Sequence, residues 1–152
     1  MVELQHISDS IETLGVFTWR CDDMMSSRFI VADVKIRGIL KSIAGSKRLL
    51  SVFAHAAKTF NFDVEFDKAI YIKDGKKSIN IPENPLSYIA FVYSLFWEID
   101  SKNIDLHKLL DEYYAVGQNI NDYYDYFNKA VVSIFADYVC QFYNDPSIKP
   151  VC

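Results

Sequence analysis

From Asn84 to Trp97 the chain runs for fourteen residues without a charge, "NPLSYIAFVYSLFW", and this stretch constrains the fold more than any other. Asn followed by Pro is a helix-start signal. The Asn side chain can accept from the first free amides, and the proline lacks an N–H that the first turn would leave unpaired in any case. A helix over Leu86–Trp97 is apolar almost all round and has no face to offer water, so other elements must surround it. The run is shorter than the ~20 residues that cross a bilayer. It is expected to form the central helix of a bundle, with no membrane span.

The flanking sequence supplies the surrounding helices. Leu4, Ile7, Ile11 and Leu14 repeat at helical spacing over Glu3–Leu14, and Gly15 is expected to end that helix. Residues 16–27 read as an irregular connector with Phe17 and Trp19 tucked in, and Ser26 or Ser27 as the cap of a second helix ending at Ala44. That helix places Phe29, Ile36, Ile39, Leu40 and Ile43 on one face. Gly45 breaks it, and Ser46 caps a third helix to about Phe60 that buries Leu49, Leu50, Phe53, Ala57 and Phe60. "AIYIKDGKKSINIP" alternates around Asp74-Gly75, which predicts a hairpin within residues 69–81. Asp105 is expected to cap a helix over Leu106–Val116 stopped by Gly117. The last helix should run from about Asn121 to Tyr143 on a main stripe of Tyr123, Phe127, Val131, Ile134, Tyr138 and Phe142, joined by Tyr124, Phe135 and Val139 into an arc wide enough to touch at least two elements. The fold class is therefore all-α: a compact bundle of about six helices with one small β-hairpin near residues 69–81.

A length of 152 residues with 51% hydrophobic content is enough for one core, so the expectation is a single α-helical domain over 1–152 with a short mobile tail from about residue 145. The amphipathic, acidic start lacks the pattern of a secretory signal, and the three cysteines are too few and too widely spaced for a disulfide framework. Both features point to a cytoplasmic protein with reduced thiols. Twelve lysines against four arginines, with many Ile, Asn and Tyr, fit AT-rich coding of a bacterial or phage kind.

Charge separates along the chain. Residues 28–58 carry seven basic groups and one acidic group, whereas residues 98–145 carry three basic and nine acidic. The first segment resembles a helix-turn-helix in outline, with Arg37, Lys41, Lys47 and Arg48 available to phosphates. The positions where two such helices would cross tightly hold Lys41 and Ser46, which argues against DNA reading. "DGKKS" at 74–78 lacks the upstream glycine and the hydroxyl residue after the lysine that a phosphate-binding loop needs. Asp100 onward fails as a calcium loop, with Lys102 and Ile104 at ligand positions and Asp105 in place of the bend glycine. Glu3 and His6 have the spacing of half a di-iron site, but no second pair exists. His55 is expected to be partly buried and hydrogen-bonded, and His107 with Asp111 to form a surface pair. These readings assign no catalytic, cofactor-binding or metal-binding residues.

The remaining reading is a small, non-catalytic helical interaction or regulatory module with a protein partner, or acting as a homodimer. Alternatives are nucleic-acid binding through residues 35–58, and a small-ligand receptor or enzyme with a tyrosine-lined pocket, since nine of ten tyrosines lie between Tyr88 and Tyr143. The expected interaction surface comprises Arg37, Lys41, Lys47 and Arg48 together with a second face of the last helix. There the small residues Ser133, Ala136 and Cys140 would admit a neighbouring helix, and Tyr126 and Lys129 mark the edge.

Overall fold

A computed structural model describes the backbone of residues 2–148 and the side chains of residues 14–148. The pattern of Leu4, Ile7 and Ile11 and the Glu3/His6 pair lie outside the described side chains. The helices are α1 (Val2–Met25), α2 (Ala32–Ala44) with a leading 3₁₀ turn at Phe29–Val31, α3 (Lys47–Ala57), α4 (Phe62–Ala69), α5 (Pro85–Asp100), α6 (Leu106–Tyr113), α7 (Ile120–Phe127) and α8 (Ser133–Tyr143). A π-helical turn, Asn128–Val132, joins α7 to α8. The strands β1 (Ile70–Lys73) and β2 (Lys76–Ile79) form the hairpin, with Asp74 and Gly75 both at positive φ as its tight turn requires.

The expected central helix is central. α5 packs against α2, α3, α4 and α8, and Asn84 Oδ1 accepts from the Leu86 and Ser87 amides. Ser46, Asp105 and Asn119 cap α3, α6 and α7 in the same way.

Five expectations are corrected. Helix α1 does not stop at Gly15, and residues 16–25 are helical rather than an irregular connector. A helical glycine costs about 1 kcal/mol relative to alanine. Continuing the helix buries Phe17, Cys21 and Met24 at three- and four-residue spacing, which outweighs that cost. Trp19, expected inside, is 56% exposed. Ser26 and Ser27 do not cap the next helix, because their hydroxyls donate back to carbonyls of Asp22, Asp23 and Met24. The Phe29 amide is instead met across the fold by Asn121 Oδ1 at 2.9 Å. In α3, which ends at Ala57, Leu50 points outward and Val52 takes the buried position. Finally, α6 ends at Tyr113, before Val116, and the next residue turns its ring inward against Phe127.

The last helix departs from its expected stripe at the π turn. A π turn accommodates one residue more than an α turn, so the face presented to the core slips by one position beyond it. Phe127 and Val131 are buried as the regular stripe requires, but the residues buried next are Phe135, Val139 and Tyr143, while Ile134 is 38% exposed. Two carbonyls in the widened turn, those of Ala130 and Val131, accept from Tyr88 Oη of α5 at 3.3 and 3.0 Å. The slip brings the Phe135 ring into contact with Phe17, Phe53 and Phe96 from α1, α3 and α5, with centroids 5.6–5.9 Å apart.

Denaturant titration of two alanine variants tests this register. Phe135→Ala should lose about 3–5 kcal/mol of stability, the usual cost of truncating a buried Phe. Ile134→Ala should lose less than about 1 kcal/mol, as expected at a surface position. Equal losses would contradict the slipped register.

Candidate functional site

The basic residues singled out in the sequence do not converge on one surface. Arg37 Nε reaches Asp100 Oδ1 on α5 at 3.1 Å, in a pair whose arginine side chain is 59% exposed. Lys41 and Lys47 are exposed and make no ion pair among the described residues. Arg48 is turned into the fold. Its Nε donates to the Tyr143 carbonyl at 2.6 Å, its Nη1 to Ile148 at 2.7 Å, and its Nη2 to Asp145 at 2.5 Å and Phe142 at 3.4 Å. One guanidinium thus serves the orphan carbonyls at the end of α8, where the helix dipole also favours a cation. Within the segment expected as a tail, Ile148 is buried. The Asp145 carboxyl is held below its ordinary range first by hydrogen bonds from the Ser147 hydroxyl and amide, and then by Arg48 and His55. His55 itself is exposed, against the expectation of partial burial, because α3 turns Ala54 and His55 outward.

On the last helix, Ser133, Ala136 and Cys140 are half-buried, and Ala136 packs against the core. Burial raises the Cys140 thiol above its usual range, with smaller contributions from Asp137 and from Asp22 of α1. Tyr126 is 42% exposed with its ring tilted toward Tyr114, and Lys129 is exposed in the π turn. Tyr88, Tyr114, Tyr124 and Tyr143 are buried. The Tyr88 and Tyr124 hydroxyls are bound to backbone carbonyls of the π turn and of Met24.

A cleft that the sequence did not signal lies between the α1–α2 corner and the α5–α6 loop. It holds about 190 Å³ and is lined by Phe29 and Asp33 on one side and by Ile99, Lys102, Ile104, Asp105, Leu106 and His107 on the other. Tyrosine does not contribute to it. The loop wall is shaped by the end of α5: Ser101 terminates the helix, and Lys102 follows at φ 65°, the left-handed position usually given to glycine. The amides of Asn103 and Ile104 both donate to the Glu98 carbonyl, which turns the chain into Asp105. Lys102 Nζ crosses to Asp33 Oδ2 at 3.0 Å, and the His107 ring stands edge-on to Phe29 at 5.5 Å. His107 Nδ1 lies 2.9 Å from Asp111 Oδ2, the expected surface pair.

Beside the cleft, Ile30 is 88% exposed and Val34, one turn on, is 69% exposed. In the sequence Ile30, Val31 and Val34 lie off the core face of the second helix, and no motif marks them. Among the described residues, no group of three or more His, Cys, Asp or Glu side chains is arranged to hold a metal, and no helix is long and apolar enough to cross a membrane. No family model, curated protein or solved structure matches the chain.

Two measurements check the buried groups. Arg48→Met should lower stability by about 2–3 kcal/mol, the scale of losing charge-assisted hydrogen bonds from a partly buried group. It should also speed amide exchange at the end of α8. Arg48→Lys should recover little of this, since an ammonium cannot present the same planar fork. In thiol labelling of the native protein, Cys21 should react only on unfolding, because it is fully buried and its pKa is raised by that burial. Cys140 should react measurably but more slowly than a free thiol. Labelling of Cys21 at the rate of a free thiol would contradict its burial.

Proposed function

We propose that this is a non-catalytic, cytoplasmic interaction module that holds a partner protein on the Ile30–Val34 ridge and seats one apolar side chain of that partner in the adjoining cleft. The observation that carries the reading is the exposure of Ile30 and Val34, 88% and 69%, next to a concavity floored by Phe29, Ile99 and Leu106. Apolar residues scattered singly over a surface need no explanation, whereas contiguous apolar surface with a polar rim favours an interaction site, and Ile30 and Val34 stand one turn apart next to Phe29. The volume supports a side-chain anchor. Pockets for metabolites usually span about 300–1,000 Å³, whereas a cavity of about 150 Å³ takes one benzene ring.

Nucleic-acid binding has less support. Of the four cations expected to contact phosphate, Arg48 is committed to the C-terminal turn and Arg37 is paired with Asp100. A tyrosine-lined catalytic pocket has less still, because the buried tyrosine hydroxyls at Tyr88 and Tyr124 are taken up by the backbone.

The test uses a photo-crosslinking residue at position 30, with Ala54 as an exposed control position, followed by titration of the partner identified by mass spectrometry. Ile30→Lys with Val34→Lys should leave folding stability within about 0.5 kcal/mol, as expected for surface positions. The same double variant should weaken partner binding at least ~10-fold, equivalent to about 1.4 kcal/mol. Crosslinking confined to position 54, or unchanged affinity in the double variant, overturns the proposal. Salt-sensitive binding of duplex DNA that is lost when Lys41 and Lys47 become Glu would establish the alternative.

A further inference from the structure

The hairpin presents a second surface of different chemistry. Its register pairs Ile70 with Ile79, Tyr71 with Ser78, Ile72 with Lys77 and Lys73 with Lys76. Antiparallel pairs alternate between those that exchange hydrogen bonds and those that turn their backbone groups outward. The Asn80 amide donates to the Ala69 carbonyl at 2.8 Å, so the bonded pairs continue through Tyr71 and Lys73, and the backbone groups of Ile70 and Ile72 face away from β2. The Ile70 amide is used by the Phe66 carbonyl at the end of α4. The Ile70 carbonyl and both backbone groups of Ile72 remain. Helix α6 lies along β2, with Glu112 3.8 Å from Lys77, whereas among the described residues no second strand pairs with β1.

Along β1 the side chains alternate, with Ile70 and Ile72 on one face and Tyr71 and Lys73 on the other; across the ribbon Lys77 stands opposite Ile72, where it approaches Glu112, and Lys76 stands opposite Lys73. Ile72 is 74% exposed and Tyr71 44% exposed. Lys73 and Lys76 sit directly opposite each other beside Tyr71, and like charges in that relation destabilise a ribbon. Neither lysine has an ion-pair partner among the described residues. An arriving strand with carboxylates on that face would relieve the repulsion while its backbone satisfies Ile72. A second copy of the chain would bring a second cluster of lysines to the same face.

We propose that the β1 edge accepts, by strand addition, an extended segment of another protein that alternates acidic and β-branched residues. Its acids lie on the Tyr71–Lys73–Lys76 face and its apolar side chains beside Ile72. This surface is separate from the cleft, at the other end of α6.

The experiment titrates the 152-residue chain into a fluorescein-labelled alternating Glu-Val hexapeptide and follows anisotropy, with a Lys-Val hexapeptide as control. The expected result is saturable binding of the Glu-Val peptide alone, weakening at least ~3-fold between about 50 and 200 mM salt as surface charge is screened. Lys73→Glu with Lys76→Glu should abolish it. So should Ile72→Pro, which removes an outward N–H that the fold itself does not use. Should Ile72→Pro disturb the far-UV circular dichroism, a Glu-Val peptide N-methylated along its bonding edge replaces that variant and should fail to bind. Ile30→Lys should leave this binding unchanged, which separates it from the cleft. Absence of saturation, equal binding of the Lys-Val peptide, or undiminished binding of the N-methylated peptide overturns the proposal. So does light scattering that shows a dimer abolished by Ile72→Pro, because the edge would then pair with a second copy.

Discussion

The π-helical turn at Asn128–Val132 is the constraint on which the remaining packing depends. An uninterrupted α-helix through this region would aim Ile134, Tyr138 and Phe142 inward. With one extra residue in the turn, Phe135, Val139 and Tyr143 face the core instead, and the Phe135 ring meets aromatic rings from three other helices. The same turn places Asn128 beside the end of α1. There its Nδ2 and the Tyr124 hydroxyl both donate to the Met24 carbonyl, at 3.3 and 3.1 Å. The arrangement carries a cost, since Asn128 Oδ1 is buried without a hydrogen-bond partner, a loss of about 1–3 kcal/mol. Tyr88 offsets part of it by serving two carbonyls of the turn. Helix α5 is thus both the apolar centre of the bundle and the source of the hydroxyl that steadies its least regular turn.

The opposed charges of the two halves of the chain contribute less than their number suggests. Arg37 with Asp100 and Lys102 with Asp33 join the basic and acidic segments, but the cation of each pair is mostly in solvent, and such pairs belong to the class worth about 0–1 kcal/mol. The stronger electrostatic contact is Arg48 with four carbonyls, where the acceptors carry no formal charge. Counting charged residues cannot reveal such a contact, because its partners are backbone atoms nearly a hundred positions away. It ties α3 to the end of α8 and so helps to hold in place the register that the π turn sets.

These cases show which parts of the fold were legible in the sequence. Asn84-Pro85, Asp74-Gly75, Ser46 and Asp105 act over three or four residues, and each built the start, turn or cap that its chemistry implies. Elements decided by distant partners were not legible. Gly15 reads locally as a stop, yet the burial of Phe17, Cys21 and Met24 carries α1 past it. The apolar spacing of 123, 127, 131, 134, 138 and 142 fits an α-helix, and only the packing of Phe135 and the hydroxyl of Tyr88 favour the wider turn. Helix α4 was missed because eight residues capped by Asn61 offer too short a period to stand out. The cleft had no motif at all, since residues 29–33 and 99–107 meet only after α2 and α5 have packed.

Helix α6 links both proposed surfaces. Its buried Leu106, Leu109 and Leu110 fasten it to the core, its first turn forms a wall of the cleft, and its last turn lies along β2. Among the described residues, two other than glycine have positive φ, Asp74 and Lys102, and each borders one of these surfaces. Asp74 is ordinary, because Asp-Gly is a preferred pair for a two-residue hairpin turn. Lys102 is not, since glycine would take the same position after α5 without the cost of a left-handed side-chain residue, about 1–2 kcal/mol. What lysine adds there is an ammonium group that reaches Asp33 across the mouth of the cleft. Because that pair is exposed, its own contribution does not repay the strain. The left-handed turn at Lys102 lets the Asn103 and Ile104 amides close on the Glu98 carbonyl, so the end of α5 sets the backbone there and leaves the ammonium beside the cleft.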